Sequence, residues 1–102
     1  MAMLHTINKS PFERNALAAC LRMAKPGASV LLIEDGVYAG LRNTKVTDKV
    51  SKAMQILSFY ALGADLKARG FGEDQVIDGI KLIDYDGFVD LVVEHDGVQA
   101  WL

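Results

Sequence analysis

Residues 28–34, Ala-Ser-Val-Leu-Leu-Ile-Glu, run apolar almost without a break. A strand wetted on one face alternates apolar and polar residues, so an unbroken run belongs to a strand covered on both faces, as at the centre of a parallel sheet. Lys25-Pro26-Gly27 before it and Asp35-Gly36 after it are breaker and turn residues that give the strand clean ends. A strand buried on both sides demands neighbours within the sheet and helices above and below, and the rest of the chain is laid out to supply them.

Met3 to Ile7 reads as the first strand, brief and followed by turn residues. Ser10 suits an N-cap, Pro11 the first helical position and Glu13 the acid of a capping box, so a helix is predicted to begin there and to carry Cys20 almost three turns along. Val37 to Leu41 suits a short helical piece. Residues 43–54 form a more polar helix with Val46, Val50, Ala53 and Met54 inside and Lys45, Asp48, Lys49 and Lys52 outside. Ile56 to Leu62 is the third strand, and Asp65 to Gly70 a short helix with an acid at its start and a glycine at its end.

Phe71 to Gly79 reads as a loop or a single turn, and Ile80 to Ile83 as the fourth strand. Asp84-Tyr85-Asp86 leads into a helix reaching His95, and Val98 to Leu102 is an edge strand or a packed tail. This alternation predicts an α/β fold with a largely parallel sheet and helices on both faces. No linker, low-complexity tract or internal repeat interrupts it, so residues 1–102 are expected to form one domain.

The 11 basic and 13 acidic residues leave a net charge of −2, which excludes the basic footprint of a nucleic-acid-binding surface. No stretch approaches the roughly 20 apolar residues of a membrane span, and the start lacks a secretory pattern. One cysteine closes no intrachain disulfide, which fits a reducing cytoplasm. The expectation is a soluble, cytoplasmic protein whose partners recognise shape rather than bulk charge.

Ligands of open parallel sheets usually sit beyond the carboxyl ends of the strands, here Asn8 to Ser10, Asp35 to Tyr38, Leu62 to Asp65 and Asp84 to Asp86. No G-x-G-x-x-G or G-x-x-x-x-G-K-[ST] follows any strand, so the backbone cradle of a nucleotide site is missing. His5, Cys20 and His95 stand singly on separate elements, without the paired spacing of a zinc site, and no metal or cofactor is expected. His5 reads as a hydrogen-bonded core residue and His95 as a favourable charge at a helix end. Asp35 reads as an ordinary turn residue, and Asp84 and Asp86 as capping groups.

Cys20 is the remaining candidate for chemistry. On a helical wheel it falls about 80° from the midpoint of Leu17 and Leu21, a boundary position. Taken alone, the residues favour a buried, inert thiol. The C-terminal half of a helix disfavours a thiolate, and Arg22 points to another face, so a partner subunit or substrate would have to activate it.

Several short pieces, in order and at matching spacing, carry a resemblance across the whole chain: Leu4-His5-Thr6, Ser10-Pro11, Leu31-Leu32 with Asp35-Gly36, residues 66–70 (Leu-Lys-Ala-Arg-Gly), Ile83-Asp84-Tyr85, Phe88-Val89 and Ala100-Trp101-Leu102. The chain resembles the sulfur-relay family of DsrH and TusB. Residues 8–15 (Asn-Lys-Ser-Pro-Phe-Glu-Arg-Asn) and Cys20 look like the DsrH branch of sulfur-oxidising bacteria. The TusB branch, which serves thiolation of the tRNA wobble uridine, typically lacks a cysteine at this position.

The resemblance implies a three-layer α/β/α domain with a five-stranded sheet, as in DsrEFH complexes, assembled with DsrE-like and DsrF-like sister subunits into a heterohexamer containing two copies of each. It implies a catalytic role for Cys20 as a persulfide carrier, beside the principal persulfide cysteine of the DsrE-like subunit, and a DsrC/TusE-like carrier as docking partner. In that chemistry a thiolate attacks the outer sulfur of a donor persulfide, the donor leaves as a thiolate, and the new persulfide yields its sulfur to the next thiol. Two other readings stand beside it: an assembly or docking subunit with a passive Cys20, and a subunit of a TusB-like tRNA-thiolation relay.

Overall fold

A computed structural model describes residues 2–102. The chain runs β1 (Met3–Ile7), α1 (Ala16–Met23), β2 (Ser29–Leu32), a 3-10 helix (Glu34–Gly40), α2 (Thr47–Ala53), β3 (Ser58–Leu62), α3 (Gly63–Ala68), a 3-10 turn (Glu73–Gln75), β4 (Lys81–Ile83), α4 (Tyr85–Glu94) and β5 (Gly97–Trp101). The strands form one sheet in the order β4-β3-β2-β1-β5, and every pairing is parallel. The α/β fold with a five-stranded parallel sheet is thus as expected, and the C-terminal strand lies at an edge beside β1. β2 is the central strand, with all four residues buried.

The strand order fixes the layers. Strands β1 to β4 are added in one direction and the last connection returns past β1, so right-handed crossovers put α1, α2 and α3 on one face and α4 on the other. Two apolar clusters correspond to these faces. Ile7, Leu17, Cys20, Val30, Leu32 and Phe59 belong to the larger, whereas Leu4, Leu31 and Leu91 form the smaller beneath α4.

Local chemistry moved two helix starts. Ser10 does cap a turn: its Oγ accepts from the Phe12 N–H at 3.2 Å, and its carbonyl accepts from the N–H groups of Glu13 and Arg14 at 3.2 and 3.1 Å. That turn closes on itself, and the helix begins only at Ala16, after Asn15. Cys20 therefore lies little more than one turn from the helix start rather than three. The polar helix is likewise trimmed to Thr47–Ala53, because the Thr47 hydroxyl donates back to the Leu41 carbonyl at 2.8 Å and accepts from the Thr44 N–H at 2.9 Å.

His95 and Asp84 hold the two ends of α4. Asp84 Oδ1 accepts from the Gly87 N–H at 2.8 Å, the cap its position promised. At the other end, His95 Nδ1 donates to the Leu91 carbonyl at 2.6 Å while Nε2 meets the Ser29 hydroxyl at 2.8 Å, tying α4 to β2. No helix among the described residues is long and apolar enough to cross a membrane.

Candidate functional site

Helix α1 places Cys20 against the sheet. Ala16, Leu17 and Cys20 are its buried residues, and Cys20 has no accessible surface at all. The expected boundary position is thereby corrected. The wheel had been oriented by Leu17 and Leu21, but Leu21 is only partly buried and small Ala16 is turned inward. The mean direction of Ala16 and Leu17 passes within about 10° of Cys20 at 100° per residue.

Burial pushes the Cys20 thiol up to about 11 from its ordinary 9.0, because a thiolate there would be stripped of water. At pH 7 roughly one thiol in ten thousand is then ionised. Its helix start, only a turn away, does not offset that desolvation. The site as it stands holds a protected thiol, not a nucleophile.

His5 lies on the same face of β1 as Ile7 and is also buried. The Trp101 indole N–H donates to His5 Nδ1 at 3.0 Å, with the two ring centroids 6.1 Å apart. An indole N–H only donates, so Nδ1 accepts and the neutral ring carries its proton on Nε2. Burial lowers the His5 pKa, which keeps that neutral form. The hydrogen-bonded core histidine read from sequence is what the structure contains. Its partner was missed; the register of β5 on β1, which sets Trp101 opposite Ile7, brings it there.

At the carboxyl ends of the strands the structure gathers a second group. Asp35 accepts from Arg69 Nε at 2.9 Å, and Arg69 also donates to the Asp65 carbonyl at 3.0 Å. Asp65 Oδ2 accepts from the Glu34 N–H at 2.6 Å, holding Glu34 at a φ of +48°. Asp35 is therefore more than a turn residue: it fastens α3 to the 3-10 helix. Asp35 Oδ1 is engaged by Arg69 and Asp65 Oδ2 by the Glu34 N–H, so the group reads as a brace rather than a catalytic set.

Asn8 sits at the same rim, where its Oδ1 is buried without a hydrogen-bond partner. Gly36 closes over this corner: a Cβ there would lie 1.9 Å from the Ile7 carbonyl oxygen. Among the described residues, no three His, Cys, Asp or Glu side chains cluster as metal ligands would.

Comparison with known proteins adds what geometry does not. A family model described as DsrH like protein matches residues 9–98. The chain is 39% identical to Protein TusB of Escherichia coli K12 over 99 residues, 97% of this chain and all of that one, and 37% identical over the same span to Protein TusB of Pectobacterium parmentieri. Among solved structures, the ychN protein of E. coli superposes with a TM-score of 0.85 at 19% identity, covering 98% of both chains. Tm0979 from Thermotoga maritima gives 0.64 at 25% identity, covering 92% of this chain and 93% of that one. The ychN likeness speaks for the fold alone.

Proposed function

This chain belongs to the DsrH/TusB family, and from that premise we propose that it is a subunit of a sulfur-relay complex whose part is assembly and docking. The complete burial of Cys20, with its thiol raised to about 11, carries this reading over one in which the chain passes sulfur on its own thiol. Persulfide exchange needs a thiolate and open access for an in-line attack, and a thiol inside an apolar core has neither. The partners are DsrE-like and DsrF-like sister subunits, two copies of each with two of this chain, and a DsrC/TusE-like carrier that receives the sulfur. The principal persulfide cysteine belongs to the DsrE-like subunit. Such a relay operates in the cytoplasm.

The competing proposal makes Cys20 itself a persulfide carrier, and requires α1 to lift from the sheet when a partner binds. The two are separated by the intact mass of this chain, purified with its sister subunits and exposed to a sulfane-sulfur donor, beside a Cys20→Ala variant. Assembly and docking predict that only the sister subunit gains the mass of whole sulfur atoms. A reductant-sensitive gain on this chain, absent from the variant, makes Cys20 the carrier.

Two destinations for the sulfur remain. The look of residues 8–15 and the presence of Cys20 support a DsrH-like place in dissimilatory sulfur oxidation. The full-length similarity to proteins named TusB favours a role in tRNA wobble-uridine 2-thiolation. Restoration of 2-thiouridine by this chain in a cell lacking its own TusB decides for the second, and failure beside an intact sister complex decides for the first.

A further inference from the structure

A cavity of about 290 Å³, at the small end of the range for ligand sites, lies where β1 and β5 begin and α1 ends. Met3 and His5 point to the same side of β1, and the strand register sets Gln99 of β5 beside His5. The other wall is Met23 at the end of α1, with Lys25 and Pro26 of the loop that follows. His5 is only 5% exposed. Its Nδ1 accepts from the Trp101 indole, so its proton sits on Nε2. Nε2 has no hydrogen-bond partner among the described residues, and it is not sealed from solvent as Asn8 Oδ1 is. Because His5 lines the cavity, that N–H opens into it. A donor on so deeply buried a side chain ordinarily has an acceptor.

The rest of the lining decides which acceptor fits. No acidic side chain among the described residues lines the cavity. Lys25 brings a full positive charge, against roughly half a negative charge at the C-terminal end of α1. A single cation suits a monoanion and falls short of a phosphate dianion. The thioethers of Met3 and Met23, with Pro26, make polarisable apolar walls that a bare inorganic ion would leave unused. A metal ion does not fit, although thioethers and an imidazole would suit a soft one. A ligating ring keeps its proton on the other nitrogen and donates it, whereas Nδ1 here faces the indole's own donor.

We propose that this cavity binds a small carboxylate with an apolar body. A carboxylate oxygen accepts from His5 Nε2–H, Lys25 and the Gln99 amide hold the charge, and the body lies against Met3, Met23 and Pro26. Trp101 is the positioning residue: by donating to Nδ1 it fixes the tautomer that turns a donor into the cavity. The site owes nothing to the relay reading, and binding there leaves that reading as it stands.

The test is titration of the full chain with benzoate and with hexanoate, followed by NMR at the Trp101 indole N–H and the Gln99 amide. Benzyl alcohol serves as the uncharged comparison. Lys25→Gln and Met23→Asp are measured beside wild type and beside Val93→Asp, an exposed site on the opposite face, with folding verified by circular dichroism. Both carboxylates are expected to shift the two resonances saturably, with dissociation constants in the millimolar range or tighter. Benzyl alcohol should bind about tenfold more weakly. Lys25→Gln and Met23→Asp should each weaken the carboxylates roughly threefold or more, with Val93→Asp at the wild-type level. Absence of a saturable shift with either carboxylate overturns the site, as do shifts that leave Trp101 and Gln99 unmoved. Benzyl alcohol binding as tightly as benzoate overturns it as a carboxylate site. Undiminished affinity in either folded cavity variant, or equal loss in Val93→Asp, overturns it as well.

Discussion

The indole N–H of Trp101 donates to Nδ1 of His5 across 96 positions of sequence, joining the last strand to the first through the core. A protonated ring has donors on both nitrogens and would face that N–H with another. Burial holds His5 below its ordinary 6.5, and the Trp101 contact suits the same neutral ring. Above 6.5 the ring is neutral in both states and costs nothing; as pH falls below it, the unfolded chain takes up a proton that the folded chain refuses, and stability declines. Urea unfolding between pH 7.5 and 5 is expected to show this decline, and His5→Gln to flatten it. Fluorescence of Trp101, the only tryptophan, reports the folded-state titration with a midpoint under 6.5.

Cys20 should resist thiol reagents in the folded chain and react at once in denaturant, with a rate that tracks opening rather than thiolate concentration. Replacement by serine sets a hydroxyl without a partner in an apolar core and should cost about 1–3 kcal/mol. Alanine, which brings no polar atom, should cost less than serine. The order of the two melting temperatures checks this, and makes alanine the cleaner control for sulfur loading.

The same thiol predicts an alkaline effect of opposite direction to the acid one. The unfolded cysteine ionises near 9.0 and the folded one at about 11, so the unfolded chain loses its proton first. The contribution is complete below pH 9 and is lost as pH rises toward 11. Cys20→Ala should remove this slope from denaturation measured between pH 8.5 and 10.5.

Gly36→Ala should be among the most damaging small substitutions, because the added Cβ falls 1.9 Å from the Ile7 carbonyl, which also accepts from the Ile33 N–H. The obstruction is backbone, which does not swing aside, and about 3 kcal/mol or more of stability should go. Alanine at Gly70, where nothing lies within 4 Å, strains only the local φ of +82° and should cost less.

Asp65→Ala removes the acceptor that holds the Glu34 N–H and should cost about 1–2 kcal/mol. Glu34→Gly, which relaxes the positive φ, should recover part of that loss in the double variant. Additive rather than compensating melting temperatures would show that the two residues act independently.

Periodicity and punctuation carried the strands well: Met3 to Ile7 matches β1 residue for residue, and the unbroken run before Asp35 is the buried centre of the sheet. Where the reading slipped, a local signal had two outcomes of similar energy. Ser10, Pro11 and Glu13 are as suited to an isolated turn as to a helix start, and only the burial of Ala16 and Cys20 selects the later start. Alanine carries little weight on a wheel, so the inward side of α1 was drawn through Leu21 and Cys20 was placed at its border. The bonds from Arg69 to Asp35 and from Trp101 to His5 join residues 34 and 96 positions apart, and no spacing rule within one element reaches them. The residues alone singled out the thiol and favoured a buried, inert one, which the packing of α1 bears out, while family likeness is what gave it a part in sulfur transfer.

The pairing of β5 with β1 sets an order on how this molecule is made. β1 finds β2 within a few dozen residues, yet its other edge stays bare, and His5 without its indole, until a residue 96 positions further on has been translated. Closure of the sheet is therefore a late and long-range event. Until Trp101 arrives, the nascent protein holds out an uncharged strand edge in a crowded cell, where other chains are free to pair with it.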